Sequence, residues 1–390
     1  MAAKRETDYG IFPRPSHDEL ARQRYAMGLR SYLFGPMRES VGKAFYAKVA
    51  PEYEAREGKP LDDRRTARAE ILKLPSYQAF SDLHRISQEM IWNSVIDTLD
   101  RNEETLAAAY REIGPGGIGS LSLNPELEIP RYVSAIDIHC MPGNYQADHG
   151  EDDVITGALY DRGGYLYSPG GSGPKGEGLG YTSLGYLKKK FPDLKPRRIL
   201  DMGCGIGGPT GPFLDAYPDA ELHGIDLGAA MLRYAHMRAE SMGRAVHFSQ
   251  QSAEHTNFED GSFDLIVSHI MFHETSAKAV QPILNECKRL LAPGGVMLHL
   301  DLPPPSLLPD IYTKIIFDGD AYYNNEPFWM RMHDLDWPAM MAKAGFAPDD
   351  IDIGITPALI FSAPTPENPD GEWKPARLAF TAFSATVPAQ

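Results

Sequence analysis

The chain has 390 residues, a formal net charge of −15 and three cysteines, Cys140, Cys204 and Cys287. The length allows two domains, or one large domain with a substantial appendage, and the charge repels a phosphate backbone, so nucleic acid is not an expected partner. The cysteines are too few and too scattered for a disulfide framework or a zinc ribbon; no apolar run approaches the roughly 20 residues that span a bilayer, and Met1–Asp8 has no apolar signal core, so a cytoplasmic protein with no membrane partner is expected.

Residues 16–113 carry helical patterning in several pieces, with breaks at Glu52–Asp63 and at Pro75. Ile86, Met90, Ile91, Val95, Ile96 and Leu99 recur at intervals of three and four, which predicts one face of an amphipathic helix. Ser81 with Asp82 is its expected N-cap, and Gly114-Pro115-Gly116-Gly117 stops the last helix. Residues 1–170 are therefore read as a mainly helical N-terminal region, a cap, a homodimer surface, or both. Within it, Ile136, Ile138 and Cys140 alternate with Asp137 and His139, predicting a half-buried strand that ends at Met141-Pro142-Gly143-Asn144. A short helix is expected at Asp152–Tyr160, followed by the glycine-rich stretch Arg162–Gly180. A loop of that length is usually functional or a linker, and the domain boundary is placed near Gly170.

From Tyr181 the pattern changes to alternation. A helix at Tyr181–Phe191 leads into strands at Ile199–Asp201, Glu221–Asp226, Ala245–Ser249, Phe263–Ser268 and Val296–Asp301. Helices are expected through Phe213 and Leu214, at Met231–Met242 and at Val280–Leu291. Ile351–Ile355 and Leu378–Val387 look like an edge hairpin. This alternation predicts an α/β fold over residues 171–390: a Rossmann-like, doubly wound, mostly parallel sheet.

Ligands of such sheets sit beyond the carboxyl ends of the strands. The first strand ends at Asp201 and the loop Gly203, Cys204, Gly205 and Gly207, where glycines allow backbone amides to approach a ligand. The second ends at Asp226, where a carboxylate can accept from ribose hydroxyls. Gly203, Gly205 and Gly208 also satisfy Gly-x-Gly-x-x-Gly, so an NAD-dependent oxidoreductase, or a binding protein without methyl transfer, competes on these residues alone. Asp201 weighs against it, because an anion there suits an ammonium group better than a pyrophosphate.

Four ordered motifs extend the pattern: Asp-Met-Gly-Cys-Gly-Ile-Gly from Asp201, His-Gly-Ile-Asp-Leu from His223, Glu-Asp-Gly-Ser-Phe-Asp-Leu-Ile-Val-Ser from Glu259, and Lys-Arg-Leu-Leu-Ala-Pro-Gly-Gly-Val-Met-Leu from Lys288. Together they resemble the class I S-adenosylmethionine-dependent methyltransferases over Tyr181–Leu302. The resemblance implies S-adenosylmethionine as cofactor, S-adenosylhomocysteine as product and a small-molecule acceptor. It implies that Asp201, Gly203, Cys204, Gly205 and Gly207 hold the methionine part, Asp226 the ribose, and Leu227 the adenine. Ser252 and Ala253 stand where the family often has an aspartate, and Ser268 ends the strand that faces the sulfonium.

After that strand comes His269-Ile270-Met271-Phe272-His273-Glu274. A histidine followed by an acid here resembles the small-molecule O-methyltransferases, which implies His273 as general base, Glu274 as its orienting partner and His269 in contact with the acceptor. Imidazole suits proton removal because its ordinary pKa is near neutrality. The expected acceptor is an aromatic or polyketide-like hydroxyl compound, with transfer to nitrogen or carbon as the alternative. Asp301 either lines the pocket or caps the turn at Pro303-Pro304-Pro305. Among the aromatic residues, Tyr160, Tyr165, Tyr167 and Tyr181 are candidates for a lid. Residues 303–340, with Tyr312, Phe317, Tyr322, Tyr323, Phe328 and Trp329, are read as an acceptor cap. His139, His149, Asp148, Glu151 and Asp152 are rich in metal-ligating atoms, but loop carboxylates are usually solvated, and no metal ligand is expected.

Overall fold

The computed structural model describes residues 9–168, 171–362, 368 and 371–389; Met1–Asp8 and the boundary expected at Gly170 lie outside the described residues. Ile199 and Leu200 are fully buried in strand β2 (Arg198–Met202), the fourth strand in a sheet order that reads β1-β4-β3-β2-β5-β6-β8-β7. The other strands are β1 (Ser120–Ser122), β3 (Glu221–Asp226), β4 (His247–Gln250), β5 (Phe263–His269), β6 (Leu291–Asp301), β7 (Ile351–Ser362) and β8 (Glu372–Thr386). The first six in spatial order run parallel, and β8 and β7 add an antiparallel hairpin beside β6. The order reverses between β2 and β5, which is where a doubly wound sheet opens its binding crevice. Among the described residues no helix is long and apolar enough to cross a membrane.

The N-terminal region is helical and is fused into this core. A helix from His17–Tyr32 continues through π-turns at Leu33–Met37 and Phe45–Val49 to Glu57. A 39-residue helix then spans Pro75–Ile113. It starts earlier than Ser81: proline at N1 needs no N–H partner, and the Ser81 hydroxyl bonds back to the Gln78 carbonyl inside the helix. Its buried face is also rotated from the expected one. Ile91, Trp92, Val95 and Leu99 are buried, whereas Ile86 and Ile96 face solvent. Gly114, at φ +66°, ends the helix as anticipated.

The segment expected to be a strand at Ile136–Cys140 is instead a helical turn, Arg131–Ser134, followed by a 3-10 turn, Ile138–Cys140. His139 and Cys140 both have φ +57°, which breaks the extended repeat. The strand that the N-terminal region does contribute is β1, which pairs with β4 through Ser120 and His247. One hydrophobic cluster joins Ile91, Trp92 and Val95 to Met231, Tyr234, Ile199 and Phe380, so the apolar core passes continuously across residue 170. Within 303–340, the helix Ile311–Tyr323 packs Tyr312, Ile315 and Ile316 against Phe45, Tyr77 and Phe80.

Candidate active site

The loop after β2 is shaped by its glycines. Gly203 has φ +66°, and a Cβ there would lie 2.8 Å from Met271 Sδ. Gly205 donates its N–H to Asp226 Oδ2 at 2.9 Å, and Gly228 donates to Oδ1 at 3.0 Å. Burial raises the Asp226 pKa, partly offset by those two amides. Gly203, Gly205, Asp226, Leu227, Ser252 and Ala253 line one cavity at the carboxyl ends of the strands, together with His269 and Glu274. The same cavity takes Tyr132, His139, Tyr145 and Tyr160 from the N-terminal region.

Four of the expected cofactor residues are not on that wall. Ser268 is fully buried and its hydroxyl pairs with His299 Nδ1 at 2.6 Å. Cys204 packs in the apolar core, and Gly207 lies against Phe248. Asp201 is 1% exposed; its Oδ2 accepts from Thr210 at 2.6 Å, while Oδ1 lies 3.3 Å from His269 Nδ1 without hydrogen-bond geometry. His269 Nε2 is buried and has no protein partner.

A second cavity of about 420 Å³ opens beside the first and is bounded by Trp92, Tyr167, Leu302, Trp329 and Phe380, with His273 and Glu326 as its ionisable side chains beside His139. His139, Tyr160 and Ile270 line both cavities. Ile270 has φ +49°, a conformation that a β-branched residue adopts only under constraint, here with its N–H on the Leu300 carbonyl at 2.7 Å. Of the candidate lid residues, Tyr160 and Tyr167 reach this region, whereas Tyr165 packs on Phe12 and Tyr181 on Trp373. The glycine-rich stretch contributes Gly164, Gly171, Ser172 and Gly178 to the wall. From the expected cap, Glu326 and Trp329 arrive at the cavity, with Phe317 stacked edge-on behind Trp329.

His273 sits in a 3-10 turn, Phe272–Glu274, just past β5. Asp301, at the end of β6, fixes it in two ways: Oδ1 accepts from His273 Nδ1 at 2.6 Å, and Oδ2 accepts the N–H groups of Phe272 and His273 at 2.9 and 3.2 Å. Asp301 lines neither cavity, and its Oδ1 also accepts the Leu302 N–H at 2.7 Å, at the entry to the proline turn. Glu274 Oε1 lies 3.3 Å from His273 Nε2 and 2.8 Å from His139 Nε2, and it accepts from the Tyr145 hydroxyl at 3.1 Å.

Burial alone lowers the pKa of both imidazoles, but neighbouring carboxylates outweigh it. Asp301 and Glu274 raise His273 well above its ordinary value, and Glu326 and Glu274 do the same for His139. Burial raises the Glu274 carboxyl, and the two histidines reverse the sign and hold it low.

His139, Glu326 and Asp301 are the residues that sequence reasoning underrated. His139 belongs to a turn whose alternating pattern mimics a strand, and nothing in the sequence brings Glu326 next to it. The other acids of the expected loop cluster go elsewhere, Asp148 to Arg233 at 2.7 Å and Asp152 to Arg111.

Residues 199–295 match the family described as Methyltransferase domain. Similar proteins include a demethylmenaquinone methyltransferase of Thermus thermophilus, 36% identical over 28% of this chain and 49% of its own length. A ubiquinone biosynthesis O-methyltransferase of Pectobacterium carotovorum is 31% identical over 29% of this chain and 46% of its own. Phosphoethanolamine N-methyltransferase 3 of Arabidopsis thaliana is 28% identical over 43% of this chain and 35% of its own. The chain thus spans half or less of the length of these relatives. The sheet order, the glycine loop and the family match define residues 199–295 as a class I methyltransferase domain of the S-adenosylmethionine-dependent type. The Gly-x-Gly-x-x-Gly at Gly203, Gly205 and Gly208 lies inside that domain.

Proposed function

We propose that this protein transfers the methyl group of S-adenosylmethionine to a hydroxyl oxygen of a small, largely apolar acceptor. The observation that carries this reading is the shared wall: His139, Tyr160 and Ile270 border both the cavity at the glycine loop and the aromatic cavity beside it. The first cavity suits the cofactor, because Gly205 lines it with open space where a side chain would otherwise stand, and Asp226 offers a carboxylate already held by two amides. When bound, S-adenosylmethionine supplies an electrophilic methyl on a positively charged sulfur.

The second cavity suits an acceptor with a flat apolar body, since aromatic and aliphatic side chains dominate its wall and volumes of some 300–1,000 Å³ are typical of ligand sites. In-line displacement makes positioning the main contribution. Asp301 orients the His273 ring through Nδ1, so that His273, in its neutral form, would take the acceptor's hydroxyl proton at Nε2 as the methyl group passes from sulfur to oxygen. The relatives include both an O- and an N-methyltransferase, so the oxygen assignment is supported by the histidine at the acceptor cavity.

Calorimetric titration with S-adenosylhomocysteine and with NAD tests the first part: binding of the former and not the latter is expected, and the reverse would overturn it. Incubation with labelled S-adenosylmethionine and a panel of phenolic and aliphatic hydroxyl compounds tests the second. A product labelled on nitrogen or carbon would sink the oxygen assignment.

A further inference from the structure

We propose that His139, His273, Glu274 and Glu326 form a binding site for one divalent transition-metal cation at the wall between the two cavities. The four side chains come from three separate segments, the Ile138–Cys140 turn, the Phe272–Glu274 turn and the chain just after the helix Ile311–Tyr323. One ligand atom from each lies within 4.8 Å of all the others. Around a tetrahedral ion with bonds of about 2.0–2.1 Å, ligand atoms stand roughly 3.3 Å apart. Glu274 Oε1 is 3.3 Å from His273 Nε2 and 2.8 Å from His139 Nε2, and Glu326 Oε2 is 3.9 Å from His273 Nε2.

Three further observations separate this group from an ordinary ion-pair cluster. First, several of its polar atoms are buried and unsatisfied. His139 Nδ1 and Glu326 Oε1 are 3.1 Å apart but lack hydrogen-bond geometry, and Glu274 Oε2 has no partner. Side chains that face a common point rather than one another leave that signature.

Second, the group is held from behind. Asp301 takes His273 Nδ1 and leaves Nε2 to the site, the carboxylate–histidine pairing that orients metal ligands. The Tyr145 hydroxyl donates to Glu274. The strained backbone of His139 is fixed by Gln88 Nε2 and Trp92 Nε1, each 2.7 Å from its carbonyl. Asn325, also at positive φ, ties the residue before Glu326 to the Asp137 carbonyl at 2.7 Å.

Third, the charges do not balance. Glu326 and Asp301 are buried and Glu274 is half-buried, three carboxylates against two imidazoles, and among the described residues no lysine or arginine forms an ion pair with any of them. A buried excess of negative charge is costly unless a cation compensates it.

Two imidazoles with two carboxylates suit the manganese-to-zinc series better than magnesium or calcium, which prefer oxygen throughout. The inference rests on the reading of the second cavity as the acceptor site. It revises one detail of that reading, because a cation held by His273 Nε2, rather than the nitrogen lone pair, would meet the acceptor oxygen and favour its ionised form.

The test uses tag-free, chelator-treated full-length protein titrated with Co²⁺, followed by visible absorption and by metal analysis after gel filtration, with S-adenosylhomocysteine binding measured in parallel. One cobalt per chain with a ligand-field band that zinc abolishes is expected. In Glu326→Gln and His139→Asn the cobalt affinity should fall at least about tenfold, while Glu326→Gln, which lies off the cofactor wall, should bind S-adenosylhomocysteine as the parent does. Retention of S-adenosylhomocysteine binding without cobalt binding at high micromolar metal would overturn the cation site and leave the methyltransferase reading intact. Cobalt binding that survives both substitutions would equally overturn it. Cobalt binding as expected without S-adenosylhomocysteine binding would support the site and remove the methyltransferase reading.

Discussion

Asp301 Oδ1 receives the Nδ1–H of His273 at 2.6 Å while its second oxygen holds the main chain of the same residue. One carboxylate at the end of β6 thus sets both the position and the tautomer of a histidine at the end of β5. Asp301→Asn keeps the shape but has only one acceptor oxygen for four N–H groups, those of Phe272, His273, Leu302 and the imidazole. Turnover should fall on the order of 10²-fold, the scale of losing a positioned proton-transfer group, with little change in the KM for S-adenosylmethionine. Steady-state kinetics would show it, and unchanged turnover would remove Asp301 from the mechanism.

His269 and His273 are four residues apart and should behave differently. His269 faces the cavity at the glycine loop with an unsatisfied Nε2, whereas His273 opens to the aromatic cavity. His269→Ala should weaken S-adenosylhomocysteine binding by about 1–2 kcal/mol, the scale of a lost hydrogen bond in a buried site. His273→Ala should leave that binding unchanged and depress kcat by roughly 10²-fold or more. Calorimetry and single-turnover assays separate the two, and matched losses in both variants would contradict the assignment of the cavities.

Gly203→Ala joins two costs. The residue is at φ +66° with Met271 Sδ 2.8 Å from the new methyl; left-handed backbone costs a residue with a Cβ about 1–2 kcal/mol. The thermal midpoint should drop by a few degrees, and S-adenosylhomocysteine affinity should fall about tenfold or more as the loop shifts. Parent-like affinity would mean that the loop does not shape the cofactor cavity.

Glu19 gives a stability prediction with a defined pH window. Its carboxylate accepts from Arg101 at 2.7 Å and from Thr98 at 2.9 Å and caps the helix at Ser16. Arg101 is the main cause, against the opposing effect of burial, of a pKa lowered from 4.5 to about 2. A depressed acid stabilises the fold above its unfolded value and loses that contribution as pH falls toward the folded one. Glu19→Gln should therefore destabilise the protein by about 1–2 kcal/mol at neutral pH, after allowance for partial solvent screening. Urea denaturation should show the gap closing between pH 4.5 and pH 2. A difference that stays constant through that interval would rule out the charge as its origin.

The methyltransferase sheet was legible because its signals are local. Ile199 and Leu200 run into glycines, Asp226 ends a strand of the right length, and Phe263–Ser268 is an almost wholly buried run with no turn residue inside. The wall of the cavity at the glycine loop could be read as far as it comes from those strand ends, at Gly203, Gly205, Asp226, Leu227, Ser252 and Ala253. What could not be read was long-range convergence. His139 enters from a turn whose alternation imitates a strand, Tyr132 and Tyr145 come from the segments on either side of it, and Glu326 meets His139 across nearly half the chain. The long helix was recognised, but its buried face was misplaced by the apolar but exposed Ile86 and Ile96: periodicity marks a stripe, and only packing partners decide its edges.

Strand β1 sets the order in which such a molecule can assemble. Ser120 and its partner His247 are 127 residues apart, and closing so long a loop is an entropic cost met before any contact repays it. During synthesis the helices of the first hundred residues can form early and pack on one another and on the helix Ile155–Tyr167, yet β1 must wait for β4 before it can pair. Both cavity walls likewise join residues before 170, His139 and Tyr160, to residues after 200, which makes the reactive centre a late product of folding.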